Sequence, residues 1–221
     1  MIASTPAADM SAPACRSDCS SLAAPLAQTL RELHALVDSL SPRLYTLRAG
    51  EAFSGSTIGA HIRHCLDHVR ALADGWRTGA VDYDHRARGT SIETDPAHAA
   101  AEILRLIASI DRLALLDAND GLRVAVMPTR DGATVLLSST LARELAFLLS
   151  HTVHHSALIR AMLLSIPAES GAADARQEVG GISRVSPSFG FAPSTLAHHD
   201  QSEREHGAAP VSTSGIDACA R

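Results

Sequence analysis

The chain has 221 residues, 46% of them hydrophobic, which is enough to bury one domain of about 150 residues with appended segments. The formal net charge of -5, without a basic stripe, argues against a nucleic-acid-binding protein. All 19 basic side chains are arginines, which excludes a lysine Schiff base and a phosphate loop ending in Gly-Lys-Ser/Thr. No apolar segment is long enough to span a bilayer, so no membrane partner is expected.

Residues 1–20 are small and polar, without the cationic start and apolar run of a secretory signal, and are expected to be flexible. Cys15 and Cys19 have a C-x3-C spacing that a zinc site can use, but no second pair follows. Cys65 lies in a predicted helix and Cys219 in the C-terminal tail, so the cysteines form a poor disulfide framework. A reduced, cytoplasmic protein is therefore expected.

Two amphipathic helices are predicted in the first third of the chain, because apolar residues recur there at alternating steps of three and four. The first begins near Pro25, a favoured first-turn residue, and ends before Pro42. The second runs from about Thr57 to Arg77. Both are expected to bury one face.

Two further amphipathic helices follow. Asp95 as the cap and Pro96 in the first turn open the third, and the fourth runs from just after residues 138–140 to Leu164. Between them, alternating apolar residues and the turn signal Asp131-Gly132 predict a small β-hairpin. The predicted fold class is all-α: residues 21–167 form a four-helix bundle with a β-hairpin between helices 3 and 4.

The composition shifts to Ser, Ala, Gly and Pro after Pro167, which predicts that residues 168–221 are mostly disordered. The stretch "SFGFAPSTL" within this tail carries two aromatic residues in a chain that is only 3% aromatic. We expect the segment 186–196 to dock back onto the bundle.

The stretch "SHTVHHSALIRAML" places histidines on a predicted buried helix. His151 and His155 are four residues apart, so they share one face, which is also the apolar face; His154 falls at its edge. Each buried neutral ring needs a partner for both nitrogens, and one divalent cation satisfies two rings at once. The H-x3-H spacing therefore favours a metal site over a structural pair of histidines.

The second helix supplies further candidates in "IGAHIRHCLDHVRAL", which contains His61, His64, Asp67 and His68. Periodicity puts His61 closest to the apolar stripe, His68 next and His64 farthest away. Any of these three histidines can be the third ligand by this reasoning. The neighbouring Cys65 is interpreted as a core residue rather than a catalytic thiol.

The pattern "TIGAHIRHCLDHVRAL" followed by "ELAFLLSHTVHHSALIRAML" resembles the DinB-like (YfiT-like) metal-binding family. The resemblance implies a four-helix bundle in which His64, within a His-x-x-Asp element, and the pair His151 and His155 bind one divalent metal ion. His61 and His68 then lie beside the ligands or face a substrate. Asp67, which can hold the far nitrogen of an imidazole, and His68 are the catalytic candidates.

The resemblance also implies an enzyme that activates a low-molecular-weight thiol or water, as a thiol-dependent transferase or isomerase or as a hydrolase. Imidazole ligands suit zinc, nickel or iron. The expected partner is a small-molecule substrate, with a homodimer as an option. The alternatives are a non-catalytic metal- or small-ligand-binding stress module and a purely structural bundle that oligomerises.

Overall fold

The structure is a computed structural model, and it describes residues 18–85, 89–165 and 186–207. Residues 1–17 of the predicted flexible start, Cys219 and most of the predicted disordered tail lie outside these ranges. At the end of that start the prediction is wrong, because Cys19 is buried and Ser20 begins a helix. The helices are α1 (Ser20–Ser39), α2 (Pro42–Tyr45), α3 (Ile58–Gly75), α4 (Pro96–Leu113), α5 (Leu141–Ser165) and α6 (Pro193–Gly207). The strands are β1 (Ala80–Asp82), β2 (Gly121–Val126) and β3 (Val135–Thr140).

The four long helices α1, α3, α4 and α5 form the predicted bundle. Helix α1 packs against α4 and α5, and α3 packs against the same two helices. The interior is filled by aliphatic side chains such as Leu30, Leu66, Ile103 and Leu148, none of which is exposed. Because α3 and α5 are neighbours, their histidines can meet.

Local capping fixes where the helices begin. The Thr57 side chain accepts a hydrogen bond from the amide of Ala60, and the Asp95 side chain caps α4 as predicted. The predicted start of the first helix near Pro25 is wrong, because α1 begins at Ser20. Cys19 and Ala23 are buried in the core, and their packing stabilises the turn that precedes the proline.

The predicted hairpin is confirmed as the β2–β3 pair. These strands are antiparallel, with Gly121 opposite Thr140, and Gly132 has the positive φ of 80° that its turn requires. The sequence did not predict β1, which adds to β2 in parallel. The resulting sheet has the order β1-β2-β3.

The C-terminal segment contacts the bundle through residues that follow the undescribed range 166–185. Phe189 is 2% exposed and belongs to the core cluster. The Arg160 guanidinium lies 4.9 Å from the centre of the Phe191 ring, and its Nη1 donates a 3.5 Å hydrogen bond to the carbonyl of Phe189. Helix α6 follows at once, in a region for which the composition predicted mostly disorder. None of the described helices has the length and apolarity needed to cross a membrane.

The substitution Gly59→Ala is expected to lower the free energy of unfolding by about 2 kcal/mol, as overpacking does. A Cβ at residue 59 would lie 2.1 Å from the carbonyl oxygen of Glu93 and 2.6 Å from the Tyr45 ring. Urea denaturation measures the change. Gly50→Ala is the control, since a Cβ there meets nothing within 4 Å. Equal stability of the two variants would contradict this close packing.

Candidate metal centre

Five histidines from α3 and α5 gather at the interface of these two helices. Residues 61, 64 and 68 are three and four apart on α3, and residues 151 and 155 are four apart on α5, so each helix presents its histidines on one flank. The structure thus brings together all the histidines that the sequence singled out on these faces. His154 is exposed, at the rim of the cluster, in agreement with its predicted place at the edge of the buried face.

Three of these histidines lie close enough to hold one metal ion. His64, His68 and His151 each offer one ring nitrogen, and the three nitrogens lie within 4.8 Å of one another. The ring centres are 4.5 Å apart for His64 and His68, 4.2 Å for His68 and His151, and 4.9 Å for His64 and His151. Among the described residues, these three histidines are the group of His, Cys, Asp or Glu side chains whose ligand atoms lie close enough together to hold a metal ion.

The hydrogen bonding of His68 fits a metal ligand. Its Nδ1 lies 2.9 Å from the carbonyl oxygen of His64. A carbonyl only accepts hydrogen bonds, so Nδ1 carries the proton and the other nitrogen, Nε2, has an electron pair to donate. Such a bond is the usual way in which proteins orient a metal-binding imidazole. The donor set of neutral imidazoles therefore fits a divalent transition metal.

The ring of His68 is held between two other rings. It stacks on Tyr83, with 5.3 Å between ring centres and an angle of 11° between planes, and on His151 on the cluster side. Periodicity had ranked His68 behind His61, but His68 is 6% exposed, whereas His61 and His64 are only half-buried. His68 is shielded from solvent by the ring of Tyr83, which follows β1, and by the ring of Phe147 of α5.

Tyr83 is itself fixed by a buried carboxylate that the sequence analysis missed. The Tyr83 hydroxyl donates a 2.9 Å hydrogen bond to Glu144 Oε2, and the Ser139 hydroxyl donates to Oε1 of the same side chain. Burial and the negative charge of Glu144 raise the pKa of Tyr83, so the phenol remains protonated. The sequence feature that could have pointed to this contact is Tyr83 itself, because tyrosine is rare in this chain, which has only two.

His61 and His155 form a second contact between the two helices. Their Nδ1 atoms are 3.0 Å apart, which is a hydrogen-bond distance. The ring of His155 also lies 4.6 Å from the ring of His64 and 4.6 Å from that of His151, measured between centres. Burial lowers the pKa of His61, and the nearby His154 adds to this effect.

Asp67, a catalytic candidate from the sequence, is paired with two arginines. It is 5% exposed, and its two oxygens accept hydrogen bonds from Arg63 Nη1 at 3.0 Å and from Arg70 Nη1 at 2.9 Å. These arginines also pair with Glu93 and Glu102, respectively. Asp67 thus belongs to an ion-pair network that joins α3 to α4, and its expected role as the partner of an imidazole stays a prediction.

The cysteines within the described ranges are core residues, as the sequence predicted for Cys65. Both Cys19 and Cys65 are unexposed free thiols. Burial raises the pKa of Cys65 to about 12, so its thiolate is scarce at neutral pH. Neither side chain is suited to act as a nucleophile.

The comparisons with known proteins agree with this architecture. The model of the DinB superfamily matches residues 26–159, a range that includes all five histidines of the cluster. No curated protein and no solved structure matches the chain.

Proposed function

Because the chain belongs to the DinB superfamily, we propose that it binds a divalent transition metal between α3 and α5 and acts there on a small molecule. The observation that carries this proposal is the convergence of nitrogen atoms from His64, His68 and His151 within 4.8 Å. Zinc, nickel and iron all suit imidazole ligands.

Two sets of ligands are consistent with the family and with the geometry. Both contain His64 and His151, one residue from each helix. The resemblance takes His155 as the third ligand, and the distances favour His68. His155 lies next to the same rings, so both sets describe one site rather than two.

When bound, a divalent cation supplies Lewis acidity, which lowers the pKa of a coordinating thiol or water. Neutral histidine ligands leave the full charge of the ion available for this effect. We therefore propose a thiol-dependent transferase or isomerase, or a hydrolase, that uses a low-molecular-weight thiol or water. In this proposal the chain contributes the imidazole cluster, the buried ring of Tyr83 and the half-buried ring of Phe147, and these two rings limit the access of water to His68.

A second candidate is a metal-binding or small-ligand-binding module without turnover. It is favoured by the surroundings of the cluster: Asp67 pairs with two arginines, and the Cys65 thiol is buried with a raised pKa. Neither residue is therefore placed to serve as a general base or a nucleophile.

Metal content measured by elemental mass spectrometry on protein purified without an affinity tag tests the binding function. We expect about one equivalent of metal in the wild type, as one site requires, and a loss of metal in His64→Ala and His151→Ala. His98→Ala is the matched control, because His98 is exposed on α4 and bonded to Ser91. A wild-type chain that stays empty after incubation with zinc, nickel and ferrous iron would contradict the proposal.

Turnover separates the two candidates. Metal-loaded protein is incubated with glutathione, bacillithiol or mycothiol and a panel of electrophiles, and in parallel with hydrolysable esters and amides. Consumption that depends on His151 supports the enzyme. Full metal occupancy without any turnover supports the binding module instead.

A further inference from the structure

The contact between His61 and His155 has a chemical consequence for the cluster. Two imidazole nitrogens at 3.0 Å share one proton, so one Nδ1 donates and the other accepts. If His155 donates, its Nε2 keeps an electron pair. If His155 accepts, Nε2 carries the proton of the neutral ring and cannot bind a metal. The direction of this one hydrogen bond thus decides whether His155 is a ligand.

The position of His155 favours the first direction. Its Nδ1 is taken by His61, so Nε2 is the nitrogen through which it can join the cluster. Its ring centre is closer to those of His64 and His151, at 4.6 Å each, than to that of His61, at 5.2 Å.

We propose that the cluster offers four imidazole donors, His64, His68, His151 and His155, and that His61 is the positioning residue for the fourth. This proposal rests on the proposed metal-binding function. Two of the four imidazoles are oriented by a hydrogen bond from Nδ1. The carbonyl of His64 accepts this bond from His68, and the ring of His61 accepts it from His155. His61 acts through His155 and is not itself a ligand.

Nuclear magnetic resonance of the metal-free, full-length protein with ¹⁵N-labelled histidine tests the direction of the hydrogen bond. We expect His155 to be protonated on Nδ1 and to show a ¹⁵N–¹⁵N coupling to His61 across the bond. In His61→Phe, which keeps a ring but loses the acceptor, this coupling disappears. His155 protonated on Nε2 in the wild type would overturn the proposal.

Cobalt(II) titration then measures the effect on binding. Loss of a group that orients a metal-binding imidazole reduces metal affinity about 10- to 100-fold, so we expect a reduction of this size in His61→Phe. His61→Gln, whose amide oxygen can accept the hydrogen bond, should restore most of the affinity. His98→Phe is the matched control, because His98 is exposed on α4 and bonded to Ser91, outside the cluster, and it should bind as the wild type does.

X-ray absorption of the cobalt-loaded wild type counts the imidazole ligands directly. Four ligands support the proposal, and three overturn it, as does a His61→Phe variant with wild-type affinity. If the wild type binds no cobalt, the proposed metal function fails. The orienting role of His61 is then tested by the metal-free protein alone: His155 protonated on Nδ1 supports it, and His155 protonated on Nε2 contradicts it.

Discussion

Asp67→Asn is expected to lower the free energy of unfolding by about 3 kcal/mol, the effect of removing one partner from a buried ion pair. The carboxylate accepts hydrogen bonds from two guanidinium groups whose side chains are only 13% and 29% exposed. An amide of the same shape removes the charge and replaces one acceptor by a donor that faces a cation. Urea denaturation followed by circular dichroism measures the change.

The same variant should keep its metal, because Asp67 is bonded to Arg63 and Arg70. Asp74→Asn is the control on the same helix: Asp74 is exposed, and the change should stay within about 0.5 kcal/mol. Unchanged stability with a loss of metal would instead place Asp67 with the histidines, as the family resemblance implies.

The bundle could be predicted from the sequence because its determinants are local. The apolar period marks the buried face of each helix, and residues such as Thr57 and Asp95 cap the helix that follows them. The error at Pro25 has a tertiary cause: Cys19 and Ala23 are buried by the rest of the bundle, so the turn before the proline is stabilised by contacts far away in sequence. No local pattern reports such contacts.

The site was predictable in composition but not in arrangement. The sequence spacing of the histidines on α3 and on α5 showed which of them lie on the same side of each helix. The packing of α3 against α5 then brings these two sides together. The burial of His68 depends on Tyr83, which is placed by β1, a strand of three residues that pairs in parallel with a strand more than 40 residues later. A strand this short has no periodicity to detect. The Tyr83–Glu144 hydrogen bond could therefore not be foreseen either.

Zinc is expected to stabilise the wild-type chain strongly if the histidine cluster binds it. A ligand present at 1,000 times its dissociation constant adds about 4 kcal/mol to the free energy of unfolding. For a domain of about 150 residues this raises the melting temperature by roughly 8–16 °C. Differential scanning calorimetry with zinc and with a chelator measures the shift.

His151→Leu should abolish this shift, because His151 belongs to both proposed ligand sets. Without metal the variant should be as stable as the wild type or slightly more so, since a half-buried polar ring is replaced by an apolar side chain. His98→Leu, at an exposed position on α4, should retain the full response to zinc. A wild-type chain that zinc does not stabilise would favour the purely structural bundle. A response that survives in His151→Leu would place the zinc outside this cluster.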